Sequence, residues 1–308
     1  MRLPTLRQLQ YLTAVVEEKH FGHAAEKCFV TQSTLSAGIQ DLEELLEVTL
    51  LERTNRKVLP TPIGEEVAGR AQQILSLSED LVDLAQSEKN PLSGRIQVGI
   101  IPTISPFLLP KVLPTVRKQL PDLEIVLIED QSERLLDQLE SGTIDVAVLA
   151  FPFNIRNMTH RIFAQEPFWV ALPKHHPLAD RGLLKADELP TNELLLLAEG
   201  HCMREHALSA CQLPVSAQRK SVQATSLYTL IEMVASGLGI TLIPDMAINS
   251  DMVRHADISL VALENKENQA MREIGLVWRP SFRRTETLER LTQTFSDALK
   301  DTDYSLRA

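Results

Sequence analysis

Two cysteines stand nine positions apart in the stretch Glu199-Gly200-His201-Cys202-Met203-Arg204-Glu205-His206-Ala207-Leu208-Ser209-Ala210-Cys211, in a chain that has only three. Two thiols in one segment are candidates for redox chemistry. If the segment is one continuous helix, nine steps of about 1.5 Å and 100° put the sulfurs roughly 13 Å apart on opposite faces. A disulfide needs Cα atoms within about 7 Å. The pair can therefore join only if the local backbone refolds, and refolding on oxidation is what a switch requires. A thiolate is favoured beside His or Arg and at a helix start, and His201, Arg204 and His206 offer that setting to Cys202. Cys-x8-Cys matches neither a C-x-x-C zinc site nor a thioredoxin-type pair, so no metal and no cofactor is expected. Two unconnected core cysteines would show the same spacing, because free cysteine is among the most buried residue types. Spacing alone leaves both readings open.

The elements that must position these thiols come from an ordinary soluble composition. The chain has 308 residues, 44% of them apolar and 23% charged, enough for two or three domains. No apolar run approaches the roughly 18 residues of a membrane span, and MRLPTLRQLQ lacks the apolar core of a signal peptide. The expectation is a cytoplasmic protein without membrane association, in which a conditional disulfide is a signal and not a staple. A net charge of −10 means that any contact with nucleic acid must come from a local basic cluster.

In chain order, Leu9, Leu12 and Val16 recur at helical spacing over residues 6–18, a second short helix follows at about 21–28, and Thr31 offers an N-cap before Leu35, Ile39, Leu42, Leu45 and Leu46. Two helices joined by a short turn, the second opening with Gln32, Ser33, Thr34 and Ser36, suit a helix-turn-helix whose polar first turn enters the major groove. A small helical bundle without DNA function would show the same spacing. Residues 50–61 read as a hairpin wing with Arg53, Arg56 and Lys57 near its tip, a local exception in a region 1–60 that holds seven Lys/Arg and eight Asp/Glu. Thr61-Pro62 then opens a helix free of breakers until Asn90-Pro91, about 40 Å long. On it Val67, Ile74 and Leu81, and likewise Leu77 and Leu84, recur at sevens, so dimerisation is expected. Beyond the 90–94 linker the rhythm becomes βαβαβ: strands at 96–100, 123–128 and 144–149, with helices around 109–116 and 132–141. Further strands are expected near 161–172, 194–197, 239–243 and 258–263, a helix at 226–236, a strand at 274–278 and a helix at about 285–300. Two such α/β halves meet at a crevice where ligands usually bind.

With these pieces in order the chain resembles the LysR-type transcriptional regulators over essentially its whole length. The match lies in Phe21-Gly22-His23-Ala24-Ala25, Thr31-Gln32-Ser33-Thr34-Leu35-Ser36, Leu42-Glu43, Leu50-Leu51-Glu52-Arg53 and Thr61-Pro62-Ile63-Gly64. Within the family it is similar to the peroxide-sensing OxyR branch, through Ile101-Pro102-Thr103, Gly200-His201-Cys202, the spacing to Cys211, Ala224-Thr225-Ser226-Leu227 and Gly239-Ile240-Thr241-Leu242. The resemblance implies a winged helix-turn-helix DNA-binding domain at 1–61, a linker and dimerisation helix at 62–90, and a periplasmic-binding-protein-like α/β effector domain at 91–308. Its lobes would be 91–164 plus 270–308, and 165–269.

The resemblance also implies roles. Cys202 would be the peroxidatic cysteine and Cys211 the resolving one, with Thr103, Ser132, His201 and Arg272 lining a peroxide pocket, while Cys28 reads as core. Promoter DNA, hydrogen peroxide, a homotetramer built as a dimer of dimers, RNA polymerase and a cellular thiol reductant are the implied partners. Gln40 replaces a basic residue common on the family's recognition helix, and Ser221 stands where some members carry a histidine. Two rival readings share parts of this pattern: a LysR-type regulator that binds a small organic effector between the lobes, and a thiol peroxidase. The N-terminal helix-turn-helix speaks against the enzyme.

Overall fold

The computed structural model describes residues 3–53, 58–87, 90–211, 224–264 and 270–300. Arg56, Lys57 and Ser221 lie outside the described residues, and the side chains of Arg53 and Leu84 are likewise not described. The chain forms two compact units, Met1–Lys89 with Asp137–Thr143 and the remainder. Among the described residues no helix is long and apolar enough to cross a membrane.

The first unit is built from locally specified helices. Thr5 caps α1 (Leu6–Glu18) in a capping box with Gln8: the Gln8 N–H donates to Thr5 Oγ1 at 3.2 Å and the Thr5 N–H to Gln8 Oε1 at 2.9 Å. Helix α2 (Phe21–Lys27) leads through a short turn into α3 (Gln32–Leu46), whose cap Thr31 accepts the Thr34 N–H at 3.2 Å. The apolar stripes converge on one core of Leu12, Val15, Ala24, Ala25, Leu35, Ile39 and Leu42. Burying each large aliphatic side chain there is worth about 1.5–3 kcal/mol. Glu43 ties the wing to this core, its Oε1 accepting the N–H groups of Leu50 (2.7 Å) and Leu51 (3.1 Å). Strands β1 (Leu51–Arg53) and β2 (Val58–Pro60) pair antiparallel, and α4 (Pro62–Ser87) starts where Thr61 Oγ1 accepts the Gly64 N–H at 3.0 Å.

From Gly94 the chain alternates β3 (Gly94–Ile100), α5 (Ser105–Gln119), β4 (Leu123–Glu129), α6 (Ser132–Ser141) and β5 (Val146–Phe151). Both β4 and β5 run parallel to β3, in the order β4-β3-β5. Strand β6 (Thr159–Pro173) is fifteen residues long and serves two neighbourhoods. Its first half pairs antiparallel with β10 (Met271–Trp278), which also pairs with β5, and its second half pairs with β8 (Thr241–Pro244) and β9 (Ile258–Leu263). The short β7 (Leu183–Leu184) flanks β9. Helices α7 (Cys202–Ala210), α8 (Leu227–Ala235), α9 (Asp251–Arg254) and α10 (Thr285–Lys300) complete the chain.

One expectation changes. The stretch 194–197 is no strand: it makes single bridges, Leu194 to Ile240 and Leu197 to Ala224. It changes neighbour midway, so no ladder can propagate. Strand β6 runs unbroken through both halves, and its neighbours form one path of strands.

Candidate functional site

The three parallel strands end close together, and the chain leaving each of them supplies a polar group. Thr103 follows β3, Ser132 follows β4 as the first residue of α6, and Ala150 lies near the end of β5. In open α/β sheets the carboxyl ends of strands on either side of an order reversal form the usual binding crevice, and β3 and β5 flank that reversal here. Helix α7 delivers Cys202 to this edge as its first residue, and the residue is only 3% exposed. Gly200 makes the approach possible. Its φ is +91°, and a Cβ there would come within 2.5 Å of Gln131 Oε1.

Burial pushes the Cys202 thiol up. The Ser132 hydroxyl, the positive charge of Arg272 and the Ala150 backbone pull it back, and Glu205 adds to the rise. Apart from that contact with the thiol, Ser132 Oγ is buried without a hydrogen-bond partner among the described residues. The sequence neighbours expected to favour the thiolate turn elsewhere. Arg204 donates Nη1 to the Leu197 carbonyl at 3.0 Å. His206 donates Nε2 to the Pro152 carbonyl at 2.9 Å, and burial draws its pKa down to about 4. His201 is also lowered by burial, and its Nε2 lies 3.2 Å from Gln131 Nε2. Both histidines are therefore neutral at pH 7 and lend the thiolate no charge.

The charge comes from Arg272, which is fully buried. Its Nε donates to Glu166 Oε1 at 2.8 Å and its Nη2 lies 2.7 Å from the same oxygen. On its other edge Nη1 donates to Thr103 Oγ1 at 3.1 Å and Nη2 to the Thr103 carbonyl at 3.0 Å. Glu166 Oε2 accepts the Met246 N–H at 2.7 Å. Arg272 and Glu166 are direct partners in the β10–β6 register, which places the two side chains on one face of the sheet. Burial raises the Glu166 carboxyl above the usual carboxylate range, against the pull of Arg272 and the Met246 N–H.

The structure thus gathers Cys202, Ser132, Thr103 and Arg272, and sets His201 beside Gln131. Cys211 it keeps apart: it is the C-cap of α7, buried, with its thiol pushed up to about 11 by burial. Both cysteines are free, and nine helical steps along α7 separate them by about 13 Å along its axis. Sequence reasoning missed Glu166, Gln131 and the Ala150 backbone. For Glu166 a signal was present, since it occupies the same inward face of β6 as Phe168, Val170 and Leu172, where a lone carboxylate demands a partner.

On the first unit, Gln32, Ser33 and Thr34 are exposed and Ser36 is half-buried in the opening turn of α3. Thr31 Oγ1 lies 2.9 Å from Ser33 Oγ and 2.8 Å from Thr34 Oγ1, so the cap orders the polar turn. Along α4, Ile74, Leu77, Leu81 and Val82 are each about half or more exposed in the single chain. Among the described residues no cluster of three or more His, Cys, Asp or Glu is arranged to hold a metal.

Comparison with known proteins places this geometry. Residues 6–65 match the family described as bacterial regulatory helix-turn-helix protein, lysR family, and residues 89–300 match the LysR substrate binding domain. The HTH-type transcriptional regulator EstR of Acinetobacter baylyi is 44% identical over 281 residues, 91% of this chain and 92% of that one. A hydrogen peroxide-inducible genes activator of Haemophilus influenzae is 37% identical over 295 residues, 96% of this chain and 97% of that one. A full-length OxyR variant from Pseudomonas aeruginosa has a similar structure, with a TM-score of 0.77 and 34% identity over 96% of this chain and 98% of that one. With both family matches spanning the helix-turn-helix and the α/β unit that holds Cys202, the chain belongs to the LysR family of bacterial transcription regulators.

Proposed function

We propose that this chain is a sequence-specific DNA-binding regulator that senses hydrogen peroxide through Cys202 and records it as a Cys202–Cys211 disulfide. The observation that carries the reading is a buried thiol meeting a hydroxyl and a buried guanidinium at the strand ends, with a second thiol at the far end of the same helix. Burial keeps Cys202 protonated at rest, so its proton leaves as peroxide arrives. The sulfur then attacks one peroxide oxygen, the O–O bond breaks, and the departing hydroxide takes up that proton as water, leaving a sulfenic acid. Thr103 and Ser132 supply hydroxyls to the peroxide, Arg272 stabilises the negative charge on sulfur and leaving oxygen, and His201 closes the pocket with Gln131. Condensation with the Cys211 thiol releases a second water and forms the disulfide, which requires part of 203–210 to unfold. A cellular dithiol reductant resets the pair by exchange.

In this reading the helix-turn-helix lies within 1–61, α4 with its neighbours at 62–90 is the dimer seam, and the effector region runs from 91 to the end, with lobes meeting along β6. Gln32, Ser33, Thr34 and Ser36 read base edges while Arg53, Arg56 and Lys57 sit on phosphates. The regulator works in the cytoplasm as a dimer of dimers on promoter DNA with RNA polymerase. Support for peroxide as the signal comes from the thiol chemistry together with the likeness to the Haemophilus influenzae activator and to OxyR.

Mass spectrometry after one equivalent of peroxide tests it. A Cys202–Cys211 disulfide is expected, with a dimedone-trappable sulfenic acid persisting in Cys211→Ser and no response in Cys202→Ser. Labelling of Cys211 in Cys202→Ser, with none of Cys202 in Cys211→Ser, would reverse the two roles. Thiols left intact by stoichiometric peroxide would favour an organic effector.

A further inference from the structure

Arg272 is a permanent cation with no exposed surface, and such a charge is held only by a partner that saturates it. Glu166 is that partner. One carboxylate oxygen gathers Nε and Nη2 on one edge of the guanidinium, which leaves the other edge, Nη1 and Nη2, aimed at Thr103. The second carboxylate oxygen is locked by the Met246 N–H from the segment after β8. A guanidinium only donates. Thr103 Oγ1 must therefore accept from Nη1, which frees its own O–H to point at a third atom. We infer that Glu166 is the positioning residue of the thiol site: by orienting Arg272 it makes Thr103 a hydrogen-bond donor to the incoming oxidant, and by its charge it limits how strongly Arg272 favours the Cys202 thiolate. The inference rests on the peroxide reading given above and assigns no contact between Glu166 and the oxidant.

The two effects act in opposite directions on observable quantities. Asp245 and Lys111 also act on Glu166 electrostatically, one of each sign. Arg272 is in direct contact with the carboxylate through Nε and Nη2, so removal of the Glu166 charge falls chiefly on Arg272. Glu166→Gln keeps the volume but lacks the charge, and its single amide oxygen can serve either the Met246 N–H or Arg272 but not both. Arg272 is then less compensated and less fixed. The thiolate should form at lower pH, while the reaction with peroxide, once the thiolate is formed, should slow by about tenfold to a hundredfold, the range expected for loss of alignment.

The experiment uses the full chain carrying Cys211→Ser, so that only the first step is read, with Cys202 followed by peptide mass spectrometry to separate it from Cys28. Iodoacetamide alkylation against pH gives the thiol midpoint, and sulfenic acid trapping gives the peroxide rate. The expected result for Glu166→Gln is a lower midpoint, an alkylation rate at high pH equal to that of the parent, and a reduced peroxide rate. Combined with Thr103→Val, the loss should not multiply, because both changes remove the same hydrogen bond. Glu166→Asp keeps the charge on a shorter arm, so it should hold the midpoint and still lose rate, and it serves if the glutamine variant does not fold. A parental peroxide rate in both variants, multiplicative losses with Thr103→Val, or alkylation accelerated at every pH would overturn the inference, the last because it marks simple opening of the core. If the parent protein itself does not react with peroxide, the functional reading falls. The alkylation midpoints then decide the claim about Glu166 by themselves, an unchanged midpoint rejecting it.

Discussion

Leu208→Ala should accelerate disulfide formation without accelerating the step before it. Seven of the nine residues of α7 are buried, Leu208 among them at 4% exposure. Truncating a buried leucine to alanine typically costs about 2–5 kcal/mol. Leu208 belongs to the segment that has to open, so that cost is removed from the opening step. Taking the lower bound of about 2 kcal/mol, at 1.4 kcal/mol per tenfold, the open population of α7 rises about 30-fold. With the helix intact the sulfurs are about 13 Å apart, so opening must precede their union, and the sulfenic acid should resolve about 30-fold faster. The first step uses the docked helix and should stay at the parental rate or fall. Rapid mixing with one equivalent of peroxide, acid quench at intervals and mass spectrometry of the Cys202 sulfenic acid and the disulfide measure both steps. A resolution rate equal to or below the parent's, in a variant whose melt shows the expected loss, would refute the requirement for opening.

Arg272→Met leaves Glu166 buried without its partner and should cost about 3–5 kcal/mol at pH 7. Unpaired, Glu166 has a folded-state pKa raised above its unfolded value, so the penalty is small below the unfolded carboxylate pKa and grows as pH rises through the folded one; a penalty equal at pH 4 and pH 7 in urea titrations would contradict this. His206 is shifted in the other sense, from 6.5 to about 4. Its contribution is present above about pH 6.5 and is lost as pH falls towards 4, roughly 2 kcal/mol between pH 7.5 and 5, and His206→Asn should flatten that part of the pH–stability profile in the same titrations. Ile74→Glu with Leu81→Glu should give monomers in sedimentation, whereas an unchanged oligomer mass would show that the exposed apolar face of α4 is not the seam. Arg56→Ala should weaken binding to all DNA sequences alike and lower the salt slope by about one charge; a change confined to sequence preference would remove the wing from the phosphates.

What was legible in the sequence is what short-range rules specify. Thr31 and Thr61-Pro62 mark the starts of α3 and α4 because a cap acts within three residues of itself. The βαβαβ rhythm and the helix closures at Gly142 and Gly237, both with positive φ, follow from local periodicity and glycine's freedom. The two thiols and their spacing, too, are local facts. The surroundings of Cys202 are not. Its sequence neighbour Arg204 lies about 200° around α7 from it, whereas His206, one turn on and on the same face, is neutral, and the two bind the Leu197 and Pro152 carbonyls. The groups that act on the thiol arrive from distant strands. Ser132 lies 70 positions before Cys202 and Arg272 lies 70 after it. Glu166 meets Arg272 only because β6 and β10 adopt one antiparallel register among those their alternating patterns permit. Residues 194–197 show the converse, a run of four leucines that finds no continuous partner. Strand pairing, and with it the electrostatics of the site, depends on contacts far apart in the chain, so the tertiary structure alone decided which charges reach the cysteine.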